Sequence, residues 1–248
     1  MFPVINIGPL SLPAPQLILL LGLWLGSSLA ERQTKKTGGN TDILFKIIWG
    51  VFLAGILGAR LSFIARNPSA FLRQWISVFS LNPALMDPVG GAVVSLTVGY
   101  YLAVKYQVAN WSILDNLVPV IAVLAPSIYL SNFAAGSGFG MLTNLPWGIN
   151  LWGGTRHPVQ IYYLISSLVV LYLVVFRSTS NQYHAGLTML LFFLYTSGYL
   201  TILSAFQDPV GNLISGFRVY QLISWLVLTA CVIIYNKLKT KEAINATG

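Results

Sequence analysis

Long apolar runs separated by short polar stretches set the pattern of this chain. A helix needs about 20 mostly apolar residues to cross the hydrocarbon of a bilayer, where nothing outside the helix satisfies its backbone. Seven stretches meet that need: Pro13 to Ala30, Ile43 to Ala65, Pro88 to Tyr106, Trp111 to Phe133, Pro158 to Phe176, Ala185 to Phe206 and Val219 to Asn236. The third is the weakest, because Gly90, Gly91 and Gly99 lower its helix propensity. Two connecting segments are longer than a turn. Arg66 to Asp87 sets Trp75 and Phe79 among polar residues and reads as an interfacial amphipathic piece. Ala134 to Arg156 is too rich in glycine for a helix, yet the chain is uncharged from Asn116 to Thr155. It is therefore expected to fold against the protein or the interface and not to stand in water.

Composition agrees: 56% of the 248 residues are hydrophobic and only 8% charged, against roughly a quarter charged in a soluble domain. The formal charge is +8, but the basic residues are too sparse for a nucleic-acid surface. The single cysteine, Cys231, cannot form an internal disulfide. No metal-ligand spacing, Gly-rich phosphate loop or Ser-His-Asp order stands out, so neither metal nor cofactor is expected. With no internal repeat and no low-complexity linker, residues 1–248 are expected to form one integral membrane domain.

The chain is uncharged up to Ala30, whereas a cleavable signal peptide opens with a basic region, so the first stretch is expected to be a permanent span. With seven spans the termini lie on opposite sides. An outer N-terminus places Arg32, Lys35, Lys36, Lys46, Lys105, Arg177, Lys237, Lys239 and Lys241 on the cytoplasmic side and leaves Arg66, Arg73, Arg156 and Arg218 outside. That nine-to-four bias predicts N-terminus outside and C-terminus cytoplasmic.

Polar groups at span depth are costly and each needs a reading. Arg60 either reaches an anionic lipid phosphate or snorkels to the outer interface. Asp115, near the start of the fourth span, reads as a helix cap, and Asn132 as a hydrogen-bonding residue where that span meets the glycine-rich segment. His184 reads as a solvated loop residue. The richest cluster is Arg156-His157-Pro158-Val159-Gln160-Ile161-Tyr162-Tyr163. Pro158 suits a first helical turn, so Arg156, His157 and the free N–H groups of the helix start would make an anion-binding corner; a capped helix with an interfacial His and Tyr belt fits the same spacing.

These pieces, in this order, resemble the prolipoprotein diacylglyceryl transferase family of seven-span bacterial membrane enzymes. The likeness rests on Asp115 through Pro119 to Asn132-Phe133, on Leu145-Pro146-Trp147-Gly148, and above all on Arg156-His157-Pro158-Val159-Gln160-Ile161-Tyr162, which matches R-H-P-x-Q-x-Y. Gly58-Ala59-Arg60-Leu61, Gly90-Gly91 and Gln221-Leu222-Ile223-Ser224 support it. The resemblance implies an all-α plasma (inner) membrane protein with about seven transmembrane helices. It implies transfer of the diacylglyceryl group of phosphatidylglycerol to the thiol of a lipobox cysteine, with glycerol phosphate leaving. The partners implied are an anionic phospholipid such as phosphatidylglycerol and the signal peptides of prolipoproteins. Arg60, Asn132, Gln160 and Tyr162 become candidate headgroup and framework positions and His157 the candidate catalytic residue. Arg156 joins the substrate-binding set from the corner described above.

The chain also departs from the family pattern. Where the family reads G-R-x-G-N-F-x-N-x-E, this chain has Tyr129 for the arginine and Ser137 for the glutamate. Val89 replaces the histidine before the glycine pair, Tyr163 the glutamate after R-H-P-x-Q-x-Y, and no basic residue lies between Ala185 and Gln207, where the family carries an arginine. Tyrosine cannot neutralise a phosphate as arginine does, since charge-assisted bonds are about twice as strong as neutral ones. The losses predict weak or absent transfer on an intact membrane fold. Two readings stay open: a transferase using Arg60, Arg156 and His157, and a catalytically impaired paralogue that binds a phospholipid or a membrane partner.

Overall fold

The computed structural model describes residues 4–8, 10–73, 75–79, 85–108, 111–151, 153–177, 185–208, 213–214 and 217–247; His184 lies outside them. The fold is all-α, with three small antiparallel hairpins among the described residues. Strands β1 (Val4–Ile7) and β2 (Leu10–Pro13) lead into α1 (Ala14–Lys36), followed by α2 (Thr41–Arg66), the short α3 (Pro68–Arg73), a 3-10 turn (Trp75–Phe79), α4 (Pro88–Lys105) and α5 (Trp111–Ala135). Strands β3 (Ile149–Leu151) and β4 (Gly154–Arg156) precede α6 (Val159–Leu171), which continues as a π-helical turn (Tyr172–Phe176). Then come α7 (Leu187–Leu203) with a 3-10 turn (Ser204–Phe206), strands β5 (Leu213–Ile214) and β6 (Phe217–Arg218), and α8 (Val219–Thr247).

Among the described residues six helices are long and apolar enough to cross a membrane: α1, α2, α5, α6 with its π turn, α7 with its 3-10 turn, and α8. The third expected span is present as the 18-residue helix α4, which is not among those six. Large apolar side chains lie exposed beside buried polar ones. Leu57 and Leu61 are more than 60% exposed, whereas Ser131, Ser167, Ser197 and Ser204 are buried. Ser197 and Ser204 return their hydroxyls to carbonyls of their own helix, and an apolar outer face is what lipid requires.

The chain divides into two compact units, residues 1–30 with 118–248, and residues 31–117. In the smaller unit α2 packs along α4. A side-chain carbon on Gly91 would come within 2.9 Å of the Gly55 carbonyl oxygen and 3.0 Å of Ala59 Cβ, so this glycine is set by the close approach of two helices. Ser95 Oγ donates to Val51 O across the same seam (3.1 Å). Asp87 caps α4 by accepting from Val89 N (3.1 Å), receives the Ser62 hydroxyl at 2.6 Å, and pairs with Arg66 at 3.3 Å. The Ser62 hydrogen bond, with help from the Val89 N–H and the Arg66 charge, holds the Asp87 carboxyl below its ordinary range against the opposing effect of burial. Asp115 is buried inside α5, one turn beyond the helix start at Trp111, so it is not the cap expected from sequence.

In the larger unit Val118 and Ala122 of α5, Val170 of α6, Val174 of the π turn and Phe192 of α7 form a buried core. Pro119 and Pro126 lie inside α5; neighbouring helices make such interruptions tolerable in a span.

Candidate functional site

The glycine-rich segment folds back on the protein, as its lack of charge predicts. Its main chain joins two distant parts of the larger unit: Gly140 N donates to His157 O (3.0 Å), His157 N to Met141 O (3.0 Å), Met141 N to Phe206 O (2.9 Å) and Thr143 N to Thr155 O (2.9 Å). The β3–β4 hairpin, paired Ile149 with Arg156 through Leu151 with Gly154, then delivers Arg156 and His157 to the start of α6. Gly140 is required at this crossing. A side-chain carbon there would lie 2.6 Å from Phe206 O and 2.7 Å from His157 Cβ, distances real carbons do not adopt.

Arg156 donates from Nη1 to Asp208 Oδ2 at 2.7 Å and to Gly140 O at 3.4 Å, and its guanidinium carbon sits 4.9 Å from the centre of the Phe139 ring. Its Nε is buried with no hydrogen-bond partner among the described residues. His157 packs against Phe206 (ring centres 5.3 Å) and Tyr162 (6.1 Å). Its Nδ1 lies 3.3 Å from the Tyr162 hydroxyl, which accepts the Trp147 indole N–H at 2.8 Å. Gln160, 2% exposed, donates its amide to Ser137 O at 2.8 Å, tying α6 to the glycine-rich segment. Asn132 receives Ser137 N at its carbonyl (2.9 Å), and its side-chain amide has no hydrogen-bond partner among the described residues.

Five of the six sequence candidates, Asn132, Arg156, His157, Gln160 and Tyr162, thus belong to the larger unit. Arg156, His157 and Tyr162 share one corner, and Asn132 and Gln160 are both bonded to the main chain of Ser137. Arg60 lies in the smaller unit, 8% exposed. Its guanidinium donates to Val78 O (3.1 Å), Leu85 O (2.7 Å) and Ser77 O, and rests 5.3 Å from the Phe71 ring centre, holding the segment after α3. Carbonyls bind this cation without neutralising it.

Two of the positions that depart from the family pattern, Tyr129 and Tyr163, also meet. Tyr129 stacks on Tyr163 with ring centres 4.9 Å apart, and its hydroxyl lies 3.4 Å from that of Tyr199. Tyr163 in turn donates to Gln207 Oε1 (3.4 Å). Sequence reasoning missed Asp208, Phe206 and Tyr199, which carry no motif and reach the site only through the return of α7. Trp147 was visible in its motif, but nothing in the spacing announced its bond to Tyr162.

A family model described as prolipoprotein diacylglyceryl transferase matches residues 3–236. Among curated relatives named phosphatidylglycerol–prolipoprotein diacylglyceryl transferase, that of Geobacter sulfurreducens is 28% identical over 206 residues, covering 79% of this chain and 78% of the relative. That of Campylobacter jejuni is 26% identical over 212 residues (79% and 76%), and that of Bordetella parapertussis 26% over 236 residues (89% and 88%). With a match that runs through nearly every span and includes the whole corner around His157, the chain belongs to the prolipoprotein diacylglyceryl transferase family.

Proposed function

We propose that this protein transfers the diacylglyceryl group of phosphatidylglycerol to the cysteine thiol of a prolipoprotein signal peptide. It acts as one integral domain of the bacterial inner membrane, with the N-terminus outside and the C-terminus cytoplasmic. The observation that carries the reading is that Arg156, paired with Asp208, and His157, set against the Tyr162 hydroxyl, follow one another along the chain at the start of α6, in a chain of this family. The chemistry is displacement at carbon. The cysteine sulfur, as thiolate, attacks the glycerol carbon that bears the phosphate, a C–S bond forms, the C–O bond breaks, and glycerol phosphate departs with the electron pair.

Such a reaction needs donors aimed at the leaving phosphate. His157 is assigned as the catalytic group. Arg156 supplies positive charge beside it, with Asp208 and Phe139 fixing its direction. Asn132 offers an amide not committed to other side chains, and Gln160 and Tyr162 hold the frame. Arg60 is proposed as a substrate-binding cation of the smaller unit, where the carbonyls of Ser77, Val78 and Leu85 hold it without neutralising it. Tyr129 supplies a neutral donor where the family carries an arginine, so turnover is expected to be slower than in relatives that keep that charge.

The test is transfer of labelled diacylglycerol from phosphatidylglycerol to a lipobox peptide by purified protein. Label should appear on the peptide and fail to appear when its cysteine is replaced by serine. Folded protein that retains phospholipid but transfers none would favour the binding paralogue, the reading to which the neutral contacts of Tyr129 with Tyr163 and Tyr199 lend weight.

A further inference from the structure

One hydrogen bond beside His157 has a direction fixed by donor chemistry, and it bears on the next. An indole N–H donates and cannot accept. At the 2.8 Å contact Trp147 therefore gives its hydrogen to the Tyr162 oxygen. The Tyr162 hydroxyl hydrogen then needs an acceptor, and Nδ1 of neutral His157 stands 3.3 Å away. Accepting there leaves the ring proton on Nε2, which has no hydrogen-bond partner among the described residues. This order gives the Trp147 N–H, the Tyr162 hydroxyl and His157 Nδ1 each a partner, whereas the opposite tautomer would give the Tyr162 oxygen two donors and leave its own hydrogen without this acceptor.

We propose that Trp147 and Tyr162 are positioning residues that hold neutral His157 in the Nε2–H tautomer, so that Nε2 is a hydrogen-bond donor to an anionic phosphate oxygen of the lipid. This rests on the transferase reading for its purpose but not for its geometry. Its consequence is a division of labour: His157 stabilises the leaving phosphate and is not the base that removes the thiol proton. A neutral donor beside the Arg156 cation suits a phosphate well, since it adds a bond without adding a second charge for Asp208 to balance. Packing supports the assignment. Phe206 stands against both His157 and Tyr162 (ring centres 5.3 and 6.4 Å), which limits rotation of either ring.

The chain has only two histidines, so His184→Gln leaves His157 as the single imidazole for nitrogen NMR on histidine-labelled protein. At the alkaline end of a pH series, once the signals no longer change with pH, the ring should show one tautomer, protonated at Nε2. Trp147→Phe and Tyr162→Phe should each convert it to a mixture. A mixture or an Nδ1–H form in the parent, or no change in Trp147→Phe, would overturn the proposal, and neither outcome depends on activity. Titration with short-chain phosphatidylglycerol should then move the Nε2–H signal and short-chain diacylglycerol should not; equal response to both would overturn the phosphate-donor role. In the transfer assay Trp147→Phe should lower kcat about 10- to 100-fold, the usual effect of removing a partner that orients a histidine, with KM for phosphatidylglycerol unchanged. A failed transferase reading would show as no transfer by the parent while the NMR result stood.

Discussion

Arg156 Nη1 donates to Asp208 Oδ2 across 2.7 Å, joining the last residue of β4 to the chain just beyond α7. The two side chains are 19% and 26% exposed, so water screens the pair only in part. Asp208→Asn should cost about 1 to 2 kcal/mol, toward the low end for a bond to a charged group, measured by thermal unfolding in detergent. Arg156→Lys should not preserve the site although it preserves the charge, because lysine has no flat guanidinium to lie over Phe139. Equal transfer rates for Arg156→Lys and the parent would contradict this.

Gly140→Ala should be among the most damaging small substitutions. The new methyl would press on the His157 side chain and the Phe206 carbonyl, and overpacking of this kind costs about 1 to 3 kcal/mol. The expected signature is a lowered unfolding temperature together with lost transfer. An alanine protein of parent stability and parent activity would show that the crossing is looser than described.

The Asp87 corner should respond to acid. Its carboxyl is held below the ordinary range by the Ser62 hydroxyl first, then by Val89 N–H and Arg66. A lowered folded pKa means that the stabilisation is complete above the unfolded value of about 3.9 and disappears as pH falls through the folded value. Asp87→Asn should therefore be less stable than the parent at pH 7, and the gap should close below about pH 4. A gap that is constant with pH would refute the assignment.

Orientation is testable by cysteine labelling in a Cys231→Ser background. Ser137→Cys should react with a membrane-impermeant reagent in spheroplasts, and Thr240→Cys should react only after lysis. The reverse pattern would invert the proposed topology.

Much of this fold was legible because the bilayer imposes a simple rule on composition. The limits of α2 at Thr41 and Arg66 fall within two residues of the apolar run that predicted it. The exception is instructive. Gly90, Gly91 and Gly99 weakened the reading of α4 because propensity counts each residue alone, whereas Gly91 is there for the carbonyl of Gly55 on another helix. The same difference separates the legible from the illegible parts of the site. Arg156, His157, Gln160 and Tyr162 announce themselves by spacing along one chain segment. Asp208 and Phe206 meet them only by pairing across the fold, and Tyr129, visible as a departure, gave no sign that Tyr199 would stand beside it.

The crossing of the glycine-rich segment with the end of α7 has a consequence for biosynthesis. Met141 cannot bond to Phe206, nor Arg156 to Asp208, until α7 has left the ribosome and entered the bilayer. A nascent chain that stops after α6 already carries the whole R-H-P-x-Q-x-Y motif but lacks the residues that aim it. The corner is therefore completed late in insertion, and a partly made chain in the membrane holds no assembled site with which to meet lipid.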